Sequence, residues 1–186
     1  MKPIRYGNIV VRIAILALLL PVAMLAAQNQ DSEAISKLLD QVKSHAAQAS
    51  DDAATLESYT RSTLSWQSHG MQLNQMRSHV NNLLKDASML MEMRDEGSPW
   101  QQEAIDRIDP LLPVIASHLS ATIDHYNDNQ NRLQLQPYRN LVLANQKLID
   151  QAHTLISAFA DYSEAKARAD ELEKKIELPA STEPSI

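Results

Sequence analysis

PYRNLVLANQKLIDQAHTLISAFADYSEAKARADELEKKIEL, residues 137–178, carries Leu141, Leu148, Leu155, Tyr162, Ala169 and Ile176 at intervals of seven, flanked by Val142, Ile149, Ile156 and Phe159. Apolar side chains repeating every seven residues, with apolar neighbours three or four places away, form one stripe on an α-helix and match no strand period. The stretch lacks glycine, and its one proline stands at the first position, where a helix tolerates it. It reads as a single long helix from about Pro137 to Leu178 that needs a long neighbour. Its end, EAKARADELEKK (164–175), alternates in charge sign, as a solvated overhang or an isolated helix does. The tail PASTEPSI, 179–186, is expected to be disordered.

Upstream, SDDAA at 50–54 offers a helix start, with Ser50 as cap and Asp51 and Asp52 in the first turn, where the helix dipole favours negative charge. A helix from there to about Glu96, stopped by Gly97, would carry the heptad stripe Leu56, Tyr59, Thr63, Trp66, Gly70, Leu73, Arg77, Val80, Leu84, Ala87 and Met91. Such a helix, about 45 residues and ~68 Å long, is the natural partner of 137–178. Arg77 is its one charge, either paired with an acid on a neighbouring helix or reaching water from the stripe's edge; Gly70 marks either a close helix crossing or a kink.

Two shorter helices complete the reading. The first opens at Asp31 or Ser32, places Ile35, Leu38, Leu39 and Val42 on one face, and ends near Ala49. GSPWQQ, 97–102, stops one helix and starts the next, with Ser98 as cap, Pro99 at the first helical position and Gln101 closing a capping box. DPLLP, 109–113, then forces a kink or a fresh start capped by Asp109, followed by Leu112, Ile115, Leu119, Ile123 and Tyr126 on one face and a polar loop at 127–132. The expected fold is all-α: an extended up-down antiparallel bundle of four helices over residues 28–178, two of them long and coiled-coil-like.

Residues 1–27 differ from the rest, with Lys2, Arg5 and Arg12 ahead of the apolar run IAILALLLPVAMLAA at 13–27. That is the layout of a signal peptide cut near Ala27, since the run is short of the ~20 apolar residues that span a bilayer. Left uncut, residues 9–27 would anchor the bundle to the inner membrane. Either way the protein is expected to be exported, periplasmic or extracellular, with membrane contact only through an uncut N-terminal segment. The segment removes three of the 17 basic residues and none of the 23 acidic ones, leaving 14 against 23 and a formal charge of −9, which excludes a nucleic-acid partner.

The absence of cysteine excludes a lipoprotein anchor, a disulfide framework, a thiol nucleophile and a CxxCH haem attachment. With Gly70 and Gly97 the only glycines after residue 27, no phosphate loop, dinucleotide turn or GxSxG elbow is present, nor is there an HExxH. No enzyme activity and no cofactor are expected. The LTxxQ signature of exported helical stress chaperones and metal-stress sensors is absent, and no family is assigned.

The remaining chemical signal is HGMQLNQMRSH, 69–79, within which His69, Met76 and His79 are the candidate metal ligands, because thioethers favour Cu(I) and imidazoles suit Cu or Zn. Helix geometry opposes a joint site: His69 and Met76 lie about 10.5 Å apart along the axis, and Met76 with His79 supplies only two ligands. Met76 and Met91 read as core filler, Met71, Met89 and Met93 as surface or interface residues. His118 and His125 are too far apart for one ion, His45 has no acidic neighbour on its own helix, and Asp150 with His153 reads as a surface pair. The function expected from all this is non-catalytic protein–protein contact in the bacterial cell envelope, as a structural, scaffold or sensor-adaptor component that engages a partner or a second copy. A periplasmic Cu- or Zn-binding or stress-response chaperone-like bundle is the alternative.

Overall fold

The computed structural model describes residues 30–177, and the expected signal segment and C-terminal tail lie outside them. Among the described residues every regular element is helical: α1 (Glu33–Tyr59), α2 (Trp66–Glu92), α3 (Pro99–Ile108), α4 (Leu111–Asp128) and α5 (Gln136–Glu177), with 3₁₀ turns at Arg94–Glu96 and Gln130–Arg132. α1 packs along both α2 and α5, α4 packs on α5 and α2, and α3 touches α2, α4 and α5. The four helices α1, α2, α4 and α5 thus share one core. No helix among the described residues is long and apolar enough to cross a membrane.

Ser32 caps α1, its Oγ accepting from the Ile35 amide at 3.4 Å. The expected end near Ala49 and restart at Ser50 are not found, because α1 runs unbroken through SDDAA to Tyr59. Ala49, Ala53 and Leu56 continue the buried stripe of Ile35, Leu39, Val42 and Ala46. Ser50 does not cap a new helix; its Oγ donates to Asp150 of α5 at 2.6 Å. The break falls at Thr60–Ser65, where hydroxyls compete with the helix ladder: Thr60 Oγ1 donates to the Glu57 carbonyl at 2.7 Å and Ser62 Oγ to the Tyr59 carbonyl at 2.8 Å. Ser65 then caps α2. The expected long second helix is therefore divided between α1 and α2, each 27 residues and about 40 Å long. α5, with 42 residues, is the one long helix, and it packs chiefly along α1 and α4 rather than α2.

Both heptad stripes are rotated from the expected ones. On α2 the buried positions are His69, Gln72, Leu73, Met76, Val80, Leu83, Ala87 and Leu90, which apart from Gln72 alternate by four and three. Leu73, Val80 and Ala87 match expectation, whereas Trp66, Arg77 and Met91 are exposed, and the column of His69, Met76, Leu83 and Leu90 faces inward. On α5 the inner face is built from Tyr138, Val142, Asn145, Ile149, Ala152, Ile156, Ala160 and Ser163, while Leu148 and Leu155 are half-buried and Tyr162 is exposed.

Gly70 marks a close crossing. A Cβ there would lie 2.3 Å from Tyr126 Oη of α4, whose hydroxyl donates to the Trp66 carbonyl at 3.1 Å. The capping box at Ser98 forms as expected, with the Gln101 side chain accepting from the Ser98 amide at 3.0 Å. Gln101 also reaches α1: Oε1 accepts from the Ser32 amide at 2.9 Å, and Nε2 donates to the Ser32 carbonyl at 2.9 Å and to Ser36 Oγ at 3.1 Å. At DPLLP the chain makes a fresh start, but Asp109 ends α3 instead of capping α4, and Pro110 stands at the N-cap with no side-chain bond.

Candidate functional site

Two of the buried polar residues, Asp52 and Gln72, lie together on the α1–α2 seam. Each helix carries a histidine seven residues before an aspartate, His45 and Asp52 on α1, His79 and Asp86 on α2. Seven residues is two turns, so both groups face the same side. They pair crosswise: His45 Nδ1 lies 2.9 Å from Asp86 Oδ2, and His79 Nδ1 lies 2.6 Å from Asp52 Oδ2. Asp52 is buried and also accepts from Gln72 Nε2 at 2.9 Å through its other oxygen. A buried carboxylate held by an imidazole and an amide is satisfied without water. Among the described residues each of these imidazoles bonds an aspartate and neither bonds a hydroxyl.

At the α1–α2 turn a second group of rings surrounds His69. Its Nδ1 lies 3.3 Å from the Tyr138 hydroxyl, and its ring meets Tyr59 and Tyr138 edge-on at centroid distances of 5.7 and 5.5 Å. His125 stacks on the other side of Tyr138 at 6.1 Å. Burial pushes the His69 imidazole below its usual range, and burial, with Tyr126 adding to it, pushes the Tyr138 phenol upward. Both groups are thereby kept neutral. Beside them is a cavity of about 230 Å³ lined by Tyr59, Thr60, Leu64, His69, Leu133 and Gln134 among others.

The candidate metal ligands are thus placed in three different settings. Met76 is fully buried in the core, His69 sits in the aromatic cluster and His79 is bound to Asp52. Among the described residues no group of three or more His, Asp or Glu side chains is arranged to hold a metal ion. Met76 is core filler as expected, but Met91 is exposed, and it is Met93 that packs against the core. Asp150 turns to Ser50 instead of joining His153. The partners of His45 and Asp150 lie on neighbouring helices, out of reach of a search along one chain segment. The one available signal was the repeat of a histidine and an aspartate seven apart on two helices.

Comparison of the chain with family models, with curated proteins and with solved structures finds no significant match.

Proposed function

We propose that the protein is an exported, non-catalytic helical bundle that works by protein–protein contact in the bacterial cell envelope, as a structural, scaffold or sensor-adaptor component. One contrast carries this reading. The buried ionisable groups Asp52, Glu57 and His69 each have a partner within the chain, whereas Trp66, Met71, Met89, Leu143 and Tyr162 are exposed. Asp52 bonds α1 to α2 and His69 bonds α2 to α5, while the apolar side chains that favour contact with another protein are on the outside. Export is supported by the basic and apolar layout of residues 1–27.

Within this reading the bundle is up-down and antiparallel. Ser36, Lys43 and Ser50 of α1 meet Ser163, Asp161 and Asp150 of α5 in descending order, and His45 and Asp52 meet Asp86 and His79 of α2 in the same way. The alternating four-three spacing of the buried positions on α2 supports coiled-coil-like packing.

The test is made in cells on the full chain, in a bacterium with two membranes. A C-terminal epitope should be digested once the outer membrane is permeabilised, while a cytoplasmic control survives. A photoreactive side chain at Leu143 or Met71 should give a discrete cross-linked product. A protected epitope would overturn export, and the absence of a product at both positions would overturn contact.

A further inference from the structure

α5 carries a second apolar stripe of which the bundle uses only the start, where Leu155 packs against the core and Tyr162 meets the Trp100 ring of α3 edge-on at 5.0 Å. Its inner face ends at Ser163, which bonds Ser36 near the start of α1. On the opposite side Leu155, Ala158, Tyr162, Ala165, Ala169, Leu172 and Ile176 follow one another by three and four, all apolar and none buried. At 100° per residue this row is centred roughly 160° around the helix from the inner one. It continues past the beginning of α1, and Leu172 and Ile176 are 60% and 76% exposed. Twenty-two residues of helix make a stripe about 33 Å long. Because a solvated overhang has no reason to keep a strict heptad of apolar residues, the pattern points to a helical partner.

The charges beside the stripe indicate which partner. With Leu155, Tyr162, Ala169 and Ile176 as a positions and Ala158, Ala165 and Leu172 as d positions, the g sites hold Asp161, Arg168 and Lys175, whose own e partner would fall beyond the stripe, and the e sites hold Phe159, Lys166 and Glu173. In a parallel, in-register pair each g residue faces the e residue five places on in the other chain. Asp161 then meets Lys166, and Arg168 meets Glu173, so every cross-chain pair is of opposite sign. The antiparallel register that sets Ala165 opposite Ala169 and Ile176 opposite Ala158 puts Arg168 against Arg168 and Lys166 against Lys166, and attracts only through Asp161 with Lys175. Asp161 and Lys166 already bind Lys43 and Asp31 within the chain. Arg168 has only Glu164 of its own helix, and Glu173 makes no ion pair among the described residues. The discriminating pair is therefore Arg168 with Glu173.

We infer that α5 is a dimerisation helix: two copies of this chain pair in parallel through the 155–176 stripe, with the bundles on opposite outer sides. The inference rests on the contact function proposed above and names a second copy as the partner. Since the natural chain has no cysteine, single substitutions report the pairing directly in the full chain as expressed in cells. In a parallel pair a stripe position faces its own counterpart, so Ala165→Cys, Ala169→Cys and Leu172→Cys should give disulfide dimers on mild oxidation, while Glu171→Cys, Lys174→Cys and Met71→Cys should not. Arg168→Glu in the Leu172→Cys chain creates two like-charge pairs by symmetry and is expected to weaken the dimer about tenfold. Adding Glu173→Lys should restore it. Absence of dimers at all three stripe positions, equal yields at every position, or dimers formed only by mixing Ala165→Cys with Ala169→Cys chains would each overturn the parallel dimer. Those results would leave the photo-cross-link to another envelope protein standing, so the two proposals fail separately.

Discussion

Gly70→Ala inserts one methyl group where α2 and α4 touch. The new Cβ would lie 2.3 Å from Tyr126 Oη and 2.9 Å from its Cζ, far inside van der Waals contact. Tyr126 is buried, and its hydroxyl is tied to the Trp66 carbonyl, so a retreat of the ring gives up that bond. Three effects compete. Alanine is the better helix former by about 1 kcal/mol. Forcing an extra carbon into a packed contact costs roughly 1–3 kcal/mol. Displacing the phenol also loses the bond to Trp66, about 1 kcal/mol. The net expectation is a loss near 2 kcal/mol, or a fall in Tm of about 4–8 °C for a domain of this size. Thermal unfolding followed by far-UV circular dichroism measures it. Tyr126→Phe supplies the control: removing Oη takes away the nearest atom but leaves the ring carbon, so Gly70→Ala should cost less in that background without becoming neutral. An unchanged or raised Tm for Gly70→Ala, or strict additivity of the two substitutions, would refute the close-crossing argument.

Gln101→Leu should cost about 3 kcal/mol, because it leaves the Ser32 and Ser98 amides without a partner; hydrogen exchange should quicken at 32–36 before the rest of the chain. His79→Ala should destabilise more than His45→Ala in urea titrations at pH 7, since it leaves the more deeply buried Asp52 with only Gln72, whereas Asp86 is better able to reach water. Arg77→Met should change stability by less than about 0.5 kcal/mol, because Arg77 is exposed and makes no ion pair among the described residues; a fall of several degrees would show a partner the structure lacks. Stability should fall on acidification in two stages. His69 is held below its usual value by burial, so the unfolded chain binds the proton more readily and stability is lost as the pH drops through and below 6.5. Asp31 follows in stronger acid: burial pushes it up, but bonds from Lys166, Ser98 and Trp100 lower it overall, so its contribution disappears below 3.8 as the carboxylate is protonated. His69→Phe should flatten the first stage, and an unaltered profile would contradict the assignment.

The helical class, the capping box at Ser98, the helix start at Ser32, the break at Pro110 and the buried face of α4 were all legible in the sequence. Each depends on residues within a turn or two of one another: a hydroxyl near free amides, a proline without a donor, apolar residues at helical spacing. The break at Thr60–Ser65 was not legible, because YTRSTLS contains no glycine or proline, and SDDAA upstream mimics a start. Serines and aspartates at 50–52 have equal access to their own backbone and to another helix, and only the presence of α5 and α2 beside them decides between the two.

The same limit explains the rotated stripes. Leu141, Leu148 and Leu155 stand next to Val142, Ile149 and Ile156, and either column satisfies a seven-residue period. Sequence by itself determined that α5 would be helical and would carry two adjoining apolar columns. Which column lies inside was decided by where α1 and α4 sit, and the choice left Tyr162, Ala169 and Ile176 on the outside. The site residues behave alike: His45, His79 and Asp52 could be seen as a histidine–aspartate spacing on each helix, but their pairing required two helices in register. Periodicity along one chain measures how apolar a face is, while the direction it faces is a property of its neighbours.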